Sequence, residues 1–355
     1  MRILLTSSTF FPDIAGLHPP AYLGAKDWMR RGHEVRLLTN TLGRFDKEHE
    51  IQIVRGPSYG EILRQYQWCD VVFQNHVSIR YWLPVLVVPR PYVVSMGGFA
   101  NVRAGNHPGK TPLVVHAKQL MKMFILRRAT RNIAVSAAVA CGNRVPSRIV
   151  PNQFDSCQFV ANTPIAERSS ALLFAGRLVP DKGVDDLIRA IAIVRARGID
   201  CRAVIAGDGP SRGALENLAH QKGLAEAISF IGRKTPEEVS RLMNRHRVFV
   251  IPSKYNDPAP VAALEAIASG CVVIGTEGGG LGVNIGFCGL TYPNGDYRVL
   301  ADRIATIYRK DDQLDEFMDT RERHLARYSP ERIGGEILEE LEKAYRIFHG
   351  ISEPE

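Results

Sequence analysis

Short runs of apolar, β-branched residues alternate along the chain with longer segments whose apolar positions recur at helical spacing. Such alternation is typical of parallel βαβ units. In the first half it predicts strands at 2–7, 34–39, 51–54, 70–75, 92–96 and 132–136, with helices at Pro19–Arg31 and Thr111–Arg128. In the second half it predicts strands at 171–176, 201–207, 228–232, 248–253 and 271–276. Helices are predicted between and after these strands at 183–197, 211–222, 236–245, 260–269 and 297–309.

The two series predict an α/β protein with two doubly wound parallel-sheet domains. The 355 residues exceed the length of about 250–300 at which a single core stops growing. We expect domains at 1–155 and 156–330, and a helix within 331–355 that packs back on the first domain. Ligands of such sheets bind at the carboxyl ends of the strands, so a site is expected in a cleft between the two domains.

Composition narrows the class of protein. No apolar run reaches the 18–20 residues, roughly, of a membrane span, and the first residues lack the apolar core of a signal peptide. The six cysteines form no CxxC pair, which argues against a zinc site or a disulfide framework and favours a reducing cytoplasm.

The net charge of +8 is unevenly distributed. Residues 1–160 contain 20 Lys and Arg against 9 Asp and Glu, whereas the remainder is slightly acidic. A basic first half favours an anionic partner, such as a membrane surface or a phosphate-bearing substrate. Nucleic acid is not expected, because the chain has no reader motif and no interleaving of basic and aromatic residues.

A cofactor-binding dehydrogenase or P-loop enzyme is disfavoured, because neither GxGxxG nor GxxxxGK[ST] follows a predicted strand. The first strand of the second series instead ends in "FAGRLVPDKG". Arg177 and Lys182 therefore lie between a strand and a helix, where two cations beside a helix N-terminus can bind a diphosphate. The alternative is two ordinary surface cations.

Two carboxylates follow a later strand, in "YNDPAPVAALEAIASG". Pro258 and Pro260 keep the chain extended around Asp257 and let a helix begin near Pro260, with Glu265 on its second turn. Carboxylates accept hydrogen bonds from neighbouring hydroxyls, so a sugar or a ribose is a natural ligand. The alternative is that Asp257 caps the helix and Glu265 is solvated.

Several segments together resemble a family of enzymes. "GRLVPDKGVDDLIRAI", "AVIAGDGP", "ISFIGRKTPEEV", "VFVIPSKYNDPAPVAALEAIASGCVVIGTEGGG" and "GLTYPNGD" are similar, in order and spacing, to segments of the retaining glycosyltransferases of family 4. The resemblance is weaker in the first half, where "FFPDIAGLHPPAYLGAKDWMRRGHEVRLLT" looks like the family's opening strand, glycine loop and helix. It implies the GT-B fold, in which two Rossmann-like domains face each other across a cleft.

The resemblance also implies roles for individual residues. Arg177 and Lys182 match the cations that hold the donor diphosphate. Asp257 matches the first acid of the family's E-x7-E motif, at the donor sugar, and Glu265 matches the second, at the nucleotide ribose. The remaining implied donor contacts are the backbone at Ala259, Pro260 and Val261, where Pro260 has no N–H to donate, and the first-domain loop at Gly16.

Three positions depart from the family pattern. Asp257 replaces the usual glutamate, Gly97 stands where a histidine often follows the "PYVVS" strand, and "EGGGLGV" lacks the usual Pro-Glu after its glycines. One interpretation is a donor sugar without a hydroxymethyl group. The other is that a different first-domain side chain on the acceptor side replaces the histidine; the candidates are His18, Asn75, His76 and Asn101.

The resulting prediction is a hexosyl- or pentosyltransferase that moves a sugar from a nucleotide donor to a hydroxyl of a glycan, lipid-linked or small-molecule acceptor. No cofactor is expected besides the nucleotide sugar, with a UDP-sugar first and a GDP-sugar second. No metal is expected either, because D-x-D is absent. The alternatives are a nucleotide-sugar binder without transferase activity and a nucleotide-sugar epimerase.

A basic segment, "HAKQLMKMFILRRATR" (116–131), bears on location. It mixes apolar residues with five cations, a composition that suits either contact with anionic lipid or an ordinary helix with a solvated basic rim. The protein is thus expected in the cytoplasm, free or at the inner face of the membrane.

Overall fold

Both predicted series of alternating elements form parallel sheets. The structure, a computed structural model, describes residues 1–10, 20–43, 51–99, 112–309 and 311–352. The chain divides into two units, one of Met1–Gln153 with Pro330–Glu355 and one of Phe154–Ser329. The divisions predicted from the sequence, at 155/156 and 330/331, lie two residues and one residue later.

The first unit is built on seven parallel strands in the order β3-β2-β1-β4-β5-β6-β7. The strands are β1 (Arg2–Ser7), β2 (Glu34–Thr39), β3 (Gln52–Arg55), β4 (Val71–Asn75), β5 (Tyr92–Met96), β6 (Arg131–Ala134) and β7 (Arg148–Ile149). The helices that connect them are α1 (Pro20–Arg30), α2 (Tyr59–Trp68), α3 (Ile79–Trp82), α4 (Pro112–Arg128) and α5 (Ala137–Asn143).

The second unit has six parallel strands in the order β10-β9-β8-β11-β12-β13. The strands are β8 (Ser169–Ala175), β9 (Ala203–Ala206), β10 (Ile228–Phe230), β11 (His246–Ile251), β12 (Val272–Thr276) and β13 (Gly289–Tyr292). The helices are α6 (Val184–Ala196), α7 (Arg212–Gln221), α8 (Pro236–Arg245), α9 (Val261–Ala268), α10 (Leu281–Ile285), α11 (Tyr297–Arg309) and α12 (Arg321–Leu325).

Strand order identifies where a ligand is expected in each unit. The order reverses between β1 and β4 in the first sheet and between β8 and β11 in the second. At such a switch point the connections on the two sides leave in opposite directions, which opens a crevice at the carboxyl ends of the strands. A ligand is therefore expected beside the residues that follow β4, β8 and β11.

The last helix, α13 (Pro330–His349), belongs to the first unit and packs against α1. The Trp28 indole on α1 is fully buried, contacts Phe73 edge to face at 5.5 Å and donates a hydrogen bond of 2.8 Å to the Gly334 carbonyl. Glu340, also fully buried, pairs with Arg131 at 2.8 Å. Burial works against its charge, but Arg131 and Arg148 outweigh burial and lower the pKa of Glu340.

Candidate active site

The centre of the candidate site is an ion pair between residues that follow two neighbouring strands. Lys182 follows β8 and Asp257 follows β11, on the two sides of the switch point in the second sheet. The lysine Nζ lies 2.9 Å from Asp257 Oδ2 and 3.1 Å from the hydroxyl oxygen of Tyr255. The Tyr255 hydroxyl in turn donates to Asp257 Oδ2 at 2.9 Å, so the three side chains form one cluster.

Backbone contacts hold the two connections together. The amide of Lys254 donates to the Asp181 carbonyl at 2.9 Å. Gly183, directly after the lysine, has φ of 66°, and a Cβ there would lie 1.9 Å from the Pro252 carbonyl oxygen. Only glycine fits this close approach, and it lets the turn that carries Lys182 contact the segment that leads to Asp257.

Charge in the cluster is balanced but largely removed from water. The Lys182 side chain is 21% exposed and that of Asp257 is 7% exposed. Burial disfavours the lysine's charge, but Asp257 and then Tyr255 outweigh burial and raise the pKa of Lys182. The lysine is therefore a persistent cation at the crevice, as phosphate binding requires.

Asp257 is held by a glycine turn rather than by the helix that follows it. Its carbonyl accepts a 2.8 Å hydrogen bond from the Gly280 amide. The N-cap of α9 is Pro260, and no side chain caps the helix. The alternative that Asp257 caps this helix is therefore wrong, and its carboxylate is directed to Lys182 and Tyr255 instead.

Glu265 is buried on the second turn of α9, with only 3% of its surface exposed. Burial, and to a smaller extent the charge of Asp155, raises its pKa to about 8. Within the described part of the chain, no side chain donates a hydrogen bond to its carboxylate. The alternative that Glu265 is solvated is wrong, because α9 is apolar on every side and packs within the core. Such a carboxylate can accept hydrogen bonds from a ligand's hydroxyls.

Other predicted donor residues lie on the same connections. Arg177 is exposed in the β8–α6 connection, and among the described residues none pairs with its guanidinium. Ala259 is buried, Pro260 caps α9 and Val261 begins it, one residue later than predicted. Asn284 on α10 holds this start, since its Nδ2 donates to the Pro260 carbonyl at 3.1 Å.

The first-unit candidates divide into two groups. Gly16, His18 and Asn101 lie outside the described residues. Asn75 ends β4, where its Nδ2 is 3.4 Å from Ser7 Oγ, and His76 and Gly97 lie at the carboxyl edge of the same sheet.

Two polar residues of the site were not predicted from the sequence. Tyr255 contacts both members of the ion pair, and its position two residues before Asp257 was the available signal. Ser253, just after β11, is 1% exposed, and its Oγ has no hydrogen-bond partner. Both residues belong to the stretch that connects β11 with α9.

Comparison with known proteins shows that the segment containing this site is similar to a known family. The model of the family "Glycosyl transferases group 1" matches residues 158–324, which include Arg177, Lys182, Asp257 and Glu265. D-inositol 3-phosphate glycosyltransferase of Corynebacterium urealyticum is 33% identical over 176 residues, covering 47% of this chain and 41% of that protein. Alpha-D-kanosaminyltransferase of Streptomyces kanamyceticus is 37% identical over 86 residues, covering 24% and 22%. The chain thus spans less than half the length of these relatives.

Solved structures match over nearly the whole chain. Anabaena HepE, crystallised with UDP and glucose, superposes with a TM-score of 0.79 at 18% identity, covering 97% of this chain and 100% of that one. Sucrose-phosphate synthase of Thermosynechococcus elongatus superposes with a TM-score of 0.77 at 19% identity, covering 99% and 100%. The chain has the GT-B fold. The prediction of two Rossmann-like parallel-sheet domains is thereby confirmed.

The helices of the described residues also bear on membrane insertion. None of them combines the length with the apolar character that crossing a bilayer requires.

Proposed function

We propose that this protein is a glycosyltransferase that moves a sugar from a nucleotide-sugar donor to a hydroxyl acceptor, with retention of configuration and without a metal ion. The observation that carries the proposal is the cluster of Lys182, Tyr255 and Asp257 at the switch point of the second sheet. It lies within the region that is similar to glycosyl transferases group 1.

The chemistry that we infer for the second unit starts with the leaving group. As the glycosidic bond breaks, the nucleoside diphosphate gains negative charge. Lys182 is a partly buried cation and Arg177 an exposed one on the same connection, so both can stabilise that charge, each by about 2–4 kcal/mol. Side-chain cations can take this role in place of a metal, and the sequence contains no D-x-D, which is why we propose metal independence.

Two carboxylates are assigned to the donor's hydroxyls. Glu265, buried and without a donor among the described side chains, suits the two neighbouring hydroxyls of a ribose. Asp257, held toward Lys182, would lie at the transferred sugar close to the diphosphate. We propose a UDP-sugar as donor, with a GDP-sugar second, because the similar HepE structure contains UDP and glucose.

The first test is nucleotide binding. Thermal stabilisation by UDP, GDP, ADP and their sugars should be measured for the wild type, for Lys182→Ala and for Lys222→Ala, an exposed lysine of the same unit. We expect stabilisation by one nucleotide family, its loss in Lys182→Ala and its retention in Lys222→Ala. An unchanged response of Lys182→Ala would contradict the diphosphate assignment.

The second test is turnover. A product formed from donor and acceptor, with the anomeric configuration of the donor and undiminished by EDTA, supports the proposal. A new sugar nucleotide formed from the donor alone identifies an epimerase, and binding without any product identifies a non-catalytic nucleotide-sugar binder.

We also propose that a lipid-linked acceptor is reached from an anionic membrane surface, through α4. The side chains of Leu113, Leu120 and Phe124 follow one another at helical spacing and are exposed, at 78%, 60% and 45%. The ring centroids of Phe124 and Trp82 are 5.6 Å apart, and this contact joins the helix to the segment that follows Trp82. That segment exposes Leu83, Leu86 and Val87. The exposed cations of α4 are Lys118, Arg127 and Arg128. Apolar residues rimmed by cations suit an anionic bilayer surface.

A further inference from the structure

His76 follows β4 in a backbone conformation that residues with a Cβ rarely adopt. Its φ is 65°, and Arg144, at the end of α5, is the other non-glycine residue with positive φ in the described part of the chain. Left-handed φ is sterically unfavourable for residues other than glycine and, to a smaller extent, asparagine and aspartate. The amide of His76 donates to the Ser95 carbonyl at 3.0 Å, which fixes the backbone in this conformation.

The consequence of this conformation is that the imidazole lies over the neighbouring strand's exit, at Gly97. A Cβ built on Gly97 would lie 1.9 Å from Cε1 and 2.6 Å from Nδ1 of His76. Gly97 does not itself have positive φ, so its own backbone does not require glycine. The ring of His76 therefore occupies the space that a side chain at position 97 would need.

The ring faces a recess with a volume of about 120 Å³. Its wall includes His76, Gly97, Gly98, Phe99, Lys122 and Asn143. Asn143 is fully buried and its Nδ2 donates to the Gly98 carbonyl at 3.1 Å, which holds the glycine pair in place. A buried side chain thus holds the backbone of the recess wall in position.

The imidazole is accessible to solvent at the mouth of the recess, and no described side chain bonds it. A neutral imidazole presents one hydrogen-bond donor and one acceptor. It can therefore bond a hydroxyl group, which both donates and accepts hydrogen bonds. The recess is smaller than the roughly 300–1,000 Å³ of pockets that enclose whole drug-sized ligands. It suits part of one sugar unit better than a nucleotide.

We propose that His76 is a substrate-binding residue whose imidazole bonds a sugar hydroxyl in this recess, and that Gly97 makes room for it. The inference rests on the proposed glycosyl transfer. The side chain in the recess thus comes from His76, after β4, rather than from position 97, after β5. The strand register lets either position supply this side chain. Asn75 pairs with Ser95, so the residues that follow β4 and β5 are neighbours at the sheet edge.

A double-mutant cycle tests whether Gly97 is required because the His76 ring occupies the space beside it. Transfer by wild type, His76→Ala, Gly97→Ala and the double variant His76→Ala/Gly97→Ala should be compared as kcat/KM. We expect His76→Ala and Gly97→Ala each to lower kcat/KM about three- to tenfold, the effect of losing one hydrogen bond. In the His76→Ala background, Gly97→Ala should have no further effect, because the ring that it displaces is absent. Equal effects of Gly97→Ala in both backgrounds, or an unchanged His76→Ala, would overturn the proposal.

A second measurement does not depend on turnover and separates this proposal from the proposed function. The Cε1–H resonance of His76, assigned with His76→Ala, should be followed during addition of UDP, UDP-glucose and methyl α-glucoside. We expect no shift with UDP. A shift with UDP-glucose identifies the donor sugar as the ligand, and a shift with the glucoside identifies the acceptor. A resonance unmoved by both sugars overturns the assignment even if Lys182→Ala abolishes UDP binding. Conversely, a failed Lys182→Ala test leaves this shift as an independent result.

Discussion

The ammonium group of Lys182 is 2.9 Å from Oδ2 of Asp257, although the two residues are 75 positions apart in the chain. The lysine that we assign to the diphosphate is therefore paired with a carboxylate in the unliganded protein. A phosphate oxygen has to compete with Asp257 for the same cation. With the roles proposed above, the carboxylate should weaken binding of the nucleotide alone and contribute favourably only through the transferred sugar.

This competition predicts opposite effects of one substitution on binding and on transfer. Asp257→Asn removes the competing charge, so we expect UDP to bind about three- to tenfold more tightly, as about 1 kcal/mol of ion pairing is released. Transfer should fall at least tenfold, because the sugar loses its carboxylate. Calorimetric titration with UDP and an initial-rate assay measure the two quantities.

The control for this prediction is Asp302→Asn, which removes an equal charge from the α11 surface, where Asp302 pairs with Arg197 at 2.7 Å. It should change neither quantity. Weaker binding of UDP to Asp257→Asn would show that Asp257 supports the diphosphate rather than competing with it.

The glycine turn after β12 predicts a loss of stability. Gly279 has φ of 74°, and a Cβ there would lie 2.0 Å from the Asp257 carbonyl oxygen. Gly279→Ala should therefore lower the free energy of unfolding by about 2–4 kcal/mol, from backbone strain and from displacement of the Asp257 segment. Urea unfolding measures this change.

Gly223→Ala is the matched control, since Gly223 has φ of 69° and nothing within 4 Å of its Cβ position. It carries the backbone cost of about 1–2 kcal/mol without the contact. Equal losses in the two variants would mean that the contact with Asp257 contributes nothing.

Much of the fold was predictable because its strands are continuous apolar runs bounded by polar residues. The bounds of β1, β2 and β5 agree with the prediction, as buried strands of parallel sheets require. The short strands β7 and β13, with two and four residues, were not predicted, because they are mostly not buried and form by pairing with β6 and β12.

The residues of the site were predictable individually, but their contacts were not. Lys182 and Asp257 were both named from the sequence, yet their ion pair depends on β8 and β11 being neighbours. His76 and Gly97 were likewise named as separate candidates, and only the strand register shows that one ring fills the other's space. The burial of Glu265 had a signal in the sequence, since the residues around it, "VAALEAIA", are apolar on every face of the helix.

Glu265 predicts a pH-dependent stability. Burial raises its pKa from 4.5 to about 8, so between these values the folded protein retains a proton that the unfolded chain has lost. The free energy of unfolding should therefore fall as the pH rises from about 4.5 to about 8, and remain low above that. Glu265→Gln cannot ionise, so its advantage over the wild type in melting temperature should grow over this window.

The experiment is a series of melting temperatures between pH 5 and pH 9 for the wild type, Glu265→Gln and Glu226→Gln, an exposed glutamate of the same unit. Glu226→Gln should follow the wild type. A constant difference between Glu265→Gln and the wild type across the series would contradict the burial of an ionisable carboxyl at this position. At pH 9, where Glu265 is ionised, Glu265→Gln should also bind UDP about tenfold more weakly, because an amide oxygen is a weaker acceptor for ribose hydroxyls than a carboxylate.

The exposed face of α4 predicts selective binding to anionic bilayers. Leu113 and Leu120 are its most exposed large apolar residues, and the helix has no acidic residue. Sedimentation with vesicles of phosphatidylcholine alone, and with 30% phosphatidylglycerol added, should show binding to the anionic vesicles only, weakened by 0.5 M salt. The double variant Leu113→Ser/Leu120→Ser should bind at least tenfold less, since two side chains lose their contact with the acyl region.

The control is Phe287→Ser, which replaces an apolar side chain that is 80% exposed in the second unit and should bind like the wild type. Equal binding to both kinds of vesicle, or to neither, would assign this face a role other than contact with anionic lipid.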